Sequence, residues 1–159
     1  IIRVWAGEKG SLEVSAKERK KIVDDAIRIA QLAKEKNKSI HFEYHSQTLT
    51  DTPESAEQLI KEVSQANVFL YWQPAESLTV EERISSFRKL LPMVSTLHVF
   101  HWQDFSHRFP LAEGAKEWQA YLAIVNEAKQ TLRLLFEFVR DDNPDELTED
   151  VHTLKSWLK

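Results

Sequence analysis

Two glutamates, several histidines and one glutamine stand near the ends of segments that read as buried strands, in a pattern suited to a divalent cation. The segment "IHFEYH" (40–45) puts Ile40, Phe42 and Tyr44 on one face of a strand and His41, Glu43 and His45 on the other. A carboxylate is rarely buried without a charged partner or a metal. Further along, Gln73 closes "VFLYWQ" (68–73), His98 and His101 lie in "LHVFHW" (97–102), and Glu137 lies in "LRLLFEFV" (132–139). Two carboxylates with imidazole on neighbouring strands suit Mg, Mn, Co or Zn, and a chain without cysteine has no thiolate to offer. Taken singly each signal is weak. A strand histidine is usually just hydrogen-bonded, and an inward glutamate usually pairs with an arginine, for which Arg3, Arg108 and Arg140 are available. Their joint occurrence on consecutive strands carries the reading.

The elements that must position these residues alternate. Five strand-like runs, 1–7, 40–45, 68–73, 97–102 and 132–139, are nearly continuous in apolar residues, as strands covered on both faces are. Five helical patterns follow them. "SAKE" offers Ser15 and Glu18 as a capping box, and "TVEE" repeats it with Thr79 and Glu82. "TPES" offers Thr52 as N-cap with Pro53 at the first helical position, a fourth helix follows Gly114, and a fifth starts from Asn143 and Pro144.

Connections from helix to strand are short ("NKS", "QAN", "AKQT"), whereas those from strand to helix are longer and polar, above all "QDFSHRFPLAEG". In β/α folds, function sits on the latter. The alternation predicts a parallel sheet with right-handed crossovers, either open and doubly wound or part of a (β/α)8 barrel. Three glycines, none in a G-x-G-x-x-G or P-loop pattern, argue against the nucleotide-binding version. The fold class expected is therefore α/β, an incomplete TIM barrel of five parallel strands and five helices within one domain, residues 1–159. Its first and last strands are expected to be open edges.

Composition narrows the partners. The chain has 159 residues, 42% hydrophobic, with a formal charge of −4. That leaves no basic footprint for nucleic acid. No apolar run is long enough for a membrane span and no signal peptide is visible, so the expectation is a cytoplasmic protein with a small-molecule partner. The opening "IIRVW" reads as the middle of a strand, and a fragment or processed product is expected.

In order and spacing, "IIRVWAG", "FEYHSQTLTDTPESAEQLIKEV", "VFLYWQP", "LHVFHW", "RFPLAEGAKEW" and "LLFEFVRDD" resemble the sugar phosphate isomerase/epimerase superfamily, the xylose isomerase-like TIM barrels. The resemblance covers essentially the whole chain but only the fourth to eighth βα units of that barrel. It implies a metal held by Glu43, by Gln73 where the family has aspartate, by His98 (or His101, since the strand carries both) and by Glu137. It also implies Glu43 and Glu137 as acid and base of a proton transfer through an enediolate, with Arg108 near the substrate. His45 and His101 are expected to touch substrate, and Trp5, Trp72 and Trp102 to wall a sugar or sugar phosphate. Gln73 in place of an anionic ligand weakens the metal site. The competing reading is a barrel that binds a carbohydrate or metabolite and has lost its chemistry. A homo-oligomer is compatible with either.

Overall fold

The computed structural model describes residues 1–158. Seven strands are formed: β1 (Ile2–Val4), β2 (Ile40–Glu43), β3 (Val68–Trp72), β4 (Val94–Val99), β5 (His101–Asp104), β6 (His107–Phe109) and β7 (Arg133–Phe136). Five helices follow β1, β2, β3, β6 and β7 in turn: α1 (Ala16–Glu35), α2 (Pro53–Val63), α3 (Val80–Leu90), α4 (Ala115–Glu127) and α5 (Pro144–Trp157). Strands β1, β2, β3, β4 and β7 pair side by side, all parallel, in that order. The order never reverses, and α1 to α4 each pack on the next. A doubly wound sheet reverses its order at a switch point and carries helices on both faces. An unreversed order with a single row of helices is an arc of a barrel, five strands wide.

The helices begin where local chemistry starts them. The Ser15 hydroxyl accepts the Glu18 amide at 3.3 Å, while the Glu18 carboxylate accepts the Ser15 amide at 3.0 Å. Thr79 and Glu82 close the same reciprocal pair. Thr52 caps α2 ahead of Pro53, and Asn143 caps α5 ahead of Pro144. The buried face of α1 carries Ala26, Ala30 and Ala33, small residues that let the helix lie close to the sheet.

The core sits between this row of helices and the convex face of the arc. Ile40, Phe42, Leu70, Trp72, Leu97 and Val99 meet Leu59, Phe87, Leu90, Trp118 and Tyr121. Each fully buried side chain of this size contributes about 1.5–3 kcal/mol. Strand parity then turns the alternate residues inward. Partners across a ladder share a face, so Arg3, His41, Glu43, Phe69, Tyr71, Thr96, His98, Arg133 and Leu135 line the concave side. Among the described residues, β1 pairs only with β2 and β7 only with β4, so both are open edges. Ile1, Ile2 and Leu135 are exposed there.

Two stretches depart from the sequence reading. Strand β4 starts at Val94 rather than Leu97, because a 3-10 turn around Pro92 (Leu91–Met93) delivers the chain directly into the sheet. The polar Ser95 and Thr96 hide that start from a hydrophobicity pattern; the register shifts there, and the Ser95 hydroxyl bonds the buried ring of His41. The "QDFSHRF" segment is not a loop. It folds into the antiparallel hairpin β5–β6, closed by Asp104 Oδ1, which accepts the amides of Ser106 at 2.8 Å and His107 at 3.0 Å.

Candidate metal centre and cleft

Three strands bring one carboxylate, one imidazole and a second carboxylate to the carboxyl end of the arc. Glu43 ends β2, His98 lies on β4 and Glu137 follows β7 by one residue, with ligand atoms all within 4.8 Å of one another. Glu43 and His98 are each 1% exposed. Gln73, next after β3, completes the arc. His98 Nδ1 stands 2.9 Å from Gln73 Oε1, 2.9 Å from Glu137 Oε2 and 3.7 Å from Glu43 Oε1. One ring nitrogen carries at most one hydrogen and cannot serve three oxygens. Glu137 Oε2 is in fact buried without a hydrogen-bond partner among the described residues. Neighbouring ligands of a six-coordinate cation at ~2.1 Å lie roughly 3 Å apart. A carboxylate oxygen without a hydrogen-bond partner, beside two more oxygens and an imidazole nitrogen, is a donor set that such an ion could use.

The other oxygen of each glutamate is held from the edge strand. Arg3 Nη1 lies 3.0 Å from Glu43 Oε2 and 3.3 Å from Glu137 Oε1, and the Trp5 indole donates to Glu43 Oε2 at 2.6 Å. Each carboxylate is thereby oriented with one oxygen toward Arg3 and one toward His98. Burial by itself would raise the Glu137 carboxyl, but the His98 ring and the Arg3 charge outweigh it and hold the group below the usual carboxylate range. The loop after β2 is fixed by its own side chains. The Thr50 hydroxyl donates to the Glu43 carbonyl, and Thr48 donates to the His45 carbonyl at 2.7 Å.

A cleft of about 240 Å³ adjoins the cluster through Gln73 and is bordered by His45, Asp51, Trp102 and Phe105. His45 stands at its rim with its ring stacked on Trp5 at 4.6 Å and Nδ1 2.6 Å from the Ser46 carbonyl. Trp102 donates its indole N–H to the Pro74 carbonyl at 3.1 Å, stacks on Phe138 and meets Phe100 edge to face.

Three residues anticipated at the site are elsewhere. Trp72 is on the convex face, 1% exposed, packed against Phe87 and Tyr121, so it belongs to the core and not to a substrate wall. His101 is separated from the cluster by the step at Phe100 that starts the hairpin; its ring is half-buried beside Phe109 and Gly114, where burial pushes its pKa down. Arg108 is occupied: it lies over the Phe105 and Phe138 rings and bonds Asp142 Oδ1 at 2.6 Å and the Phe105 carbonyl at 3.0 Å. Trp5 reaches the site by hydrogen bonding Glu43 rather than as an apolar wall. The cleft also carries Tyr44, Asp51 and Glu76, which nothing in the sequence pattern marks as functional. Asp51 sits in a helix-start sequence where an acid is unremarkable, and Tyr44 has the parity of the core.

No protein-family model matches the sequence. A 3-dehydroshikimate dehydratase of Bacillus anthracis is 33% identical over 103 residues, 61% of this chain and 35% of that protein. Among solved structures, a probable 3-DHS dehydratase of petrobactin synthesis from Bacillus anthracis superposes with a TM-score of 0.80 at 23% identity, over 97% of this chain and 62% of that one. A xylose isomerase-like TIM barrel protein from Mycobacterium smegmatis, in complex with magnesium, gives 0.75 at 17% identity, over 91% of this chain and 52% of that one. The 3-keto-D-glucoside 4-epimerase of E. coli gives 0.67 at 14% identity, over 90% of this chain and 57% of that one. The fold is that of a xylose isomerase-like TIM barrel, present here as five consecutive βα units, and the expectation of that fold is borne out. The chain spans about a third of the curated dehydratase and between half and two thirds of the solved chains.

Proposed function

We propose that residues 1–159 are the C-terminal five βα units, strands four to eight, of a metal-dependent isomerase or epimerase acting on a sugar or sugar phosphate. The observation that carries this is the convergence of Glu43 Oε1, Gln73 Oε1 and Glu137 Oε2 on His98 Nδ1, with Glu137 Oε2 left unsatisfied. A magnesium-bound neighbour of the same fold supports the choice of a divalent ion, Mg, Mn, Co or Zn.

Glu43, Gln73, His98 and Glu137 would hold the ion, which supplies Lewis-acid charge for the enediolate of a sugar. The rest is done by side chains. Glu43 and Glu137 come from strands on either side of His98, so a substrate carbon held at the cluster would be within reach of both carboxylates. One removes the proton next to the carbonyl and the other returns a proton, which gives isomerisation or epimerisation according to where it lands. The oxygens left for this exchange are those now held by Arg3 and, on Glu43, also by Trp5, and the Arg3 charge favours the ionised form of Glu137 at rest. His45 and Trp5 fix the rim where the sugar chain leaves the cluster.

The test is hydrogen exchange. The complete protein is incubated with candidate ketoses in D2O with Mn or Co, and deuterium is followed at the carbon next to the carbonyl. Glu43→Gln and Glu137→Gln should each slow incorporation about 100-fold or more with unchanged circular dichroism. Exchange as fast as the parent in both variants would sink the two-glutamate reading.

A second reading, dehydration of a hydroxyketone, is favoured by the 33% identity to a dehydratase. It begins with the same proton removal and then expels hydroxide. Loss of water, rather than return of deuterium to the carbon, identifies it in the same experiment.

A further inference from the structure

Gln73 stands where the sheet gives out. The β3 ladder ends at Trp72, and Pro74, next after Gln73, has no backbone N–H to bond. An amide side chain carries no net charge to draw it to a cation, so it depends more than a carboxylate on where its backbone is placed. Two side chains fix the carbonyls that follow it. From the hairpin, the Trp102 indole donates to the Pro74 carbonyl at 3.1 Å. From α3, Arg83 Nε donates to the Ala75 carbonyl at 2.8 Å, which also accepts the Leu78 amide at 3.3 Å in the turn before the helix.

Arg83 is nearly buried, its side chain 9% exposed, and its Nη1 lies 3.3 Å from Glu117 Oε2 on α4. The Tyr121 hydroxyl donates to the same Glu117 oxygen at 3.4 Å, and the Tyr121 ring packs against Trp72, the residue before Gln73. A buried ion pair is weak evidence for stability, because its desolvation can exceed its Coulombic gain. What a guanidinium supplies is a rigid fork that donates to two acceptors at once. Here one acceptor is on α4 and the other on the segment that carries Gln73. The pair Arg88–Glu127 gives the contrast. It also joins α3 to α4, at 2.9 Å, but both side chains are more than half exposed and neither bonds that segment among the described residues.

We propose that Arg83 is a positioning residue for Gln73. Clamped by Glu117, it fixes the Ala75 carbonyl and with it the backbone from which Gln73 presents its amide oxygen, 2.9 Å from His98 Nδ1. It rests on the cluster binding a cation only in taking that oxygen as a ligand; the placing of the side chain is independent of any ion.

Arg83→Lys keeps a cation beside Glu117, but a single ammonium drawn there gives up the Ala75 carbonyl. Arg83→Met with Glu117→Gln removes both charges together and serves as the second variant, and Arg88→Gln is the control. In the complete protein in EDTA, the side-chain amide resonances of Gln73 and the Nδ1 resonance of His98 are followed by NMR. Both should move in the two Arg83 variants and hold in Arg88→Gln. Calorimetry then measures Mn affinity with and without Gln73→Ala. Arg83→Lys should weaken Mn binding about tenfold or more when Gln73 is present. It should change the affinity by less than about twofold in Gln73→Ala, where the side chain it places is gone. Resonances unmoved in both Arg83 variants, or a Mn loss of equal size in Gln73→Ala, would overturn the proposal. A parent protein that binds no Mn would refute the metal site, while the resonances in EDTA still decide the role of Arg83.

Discussion

Arg3 Nη1 lies 3.0 Å from Glu43 Oε2, joining a half-exposed guanidinium on an edge strand to a carboxylate that is almost fully buried. The same nitrogen reaches Glu137 across the arc. Without a metal, Arg3 is the charge that both converging carboxylates share, beside the His98 ring and the Trp5 indole on Glu43.

Arg3→Gln should therefore destabilise the metal-free protein by about 1–2 kcal/mol, less than the ~3–5 kcal/mol of a fully buried pair because Arg3 is half in water. Urea unfolding in EDTA measures this. Millimolar Mn should then raise the melting temperature of the variant more than that of the parent. Equal shifts would mean that Arg3 and the cation do not share the carboxylates.

Gln73 contributes an amide oxygen where a third anion would draw a cation more strongly. Gln73→Glu keeps the reach of the side chain toward His98 Nδ1 and adds one negative charge. We expect the variant to be less stable than the parent without metal, since like charges are crowded. Its Mn affinity should rise about tenfold or more, which is ~1.4 kcal/mol. Calorimetric titration with Mn decides it, and unchanged affinity would remove Gln73 from the donor set.

Deeper in the arc, His41 is bonded by the hydroxyls of Ser39 and Ser95, and burial, with the nearby positive charge of Arg133, pushes its pKa down to about 4. An unfolded histidine takes its proton near pH 6.5. Between these values the unfolded chain binds more protons than the folded one, so stability falls as the pH drops from about 6.5 to about 4 and this contribution levels off below. Denaturation across that range should show the slope, and His41→Gln should lose part of it. A variant with the parent's full slope would place the titration elsewhere.

The two open edges predict behaviour of these residues expressed by themselves. Strands β1 and β7 present unpaired backbone, and Ile1, Ile2, Trp5 and Leu135 present apolar surface that the rest of a barrel would cover. Residues 1–159 alone should associate with rising concentration in light scattering. A monodisperse monomer at high concentration would contradict this.

The alternation of strands and helices, the caps at Ser15, Thr52, Thr79 and Asn143, and the inward parity of Glu43 were all legible in the chain, because each depends on residues within a few positions of one another. So was the company of Glu43, since the sequence also puts Glu137 and His98 on neighbouring strands. What lies across strands was not. Register and the turn at Phe100 chose His98 over His101, sent Trp72 to the helices while Trp5 and Trp102 stayed at the mouth, and delivered Arg3 to both glutamates. Sequence by itself determined which residues could meet a cation; only the curvature and pairing of the sheet decided which ones do meet, because that depends on distances between segments far apart in the chain.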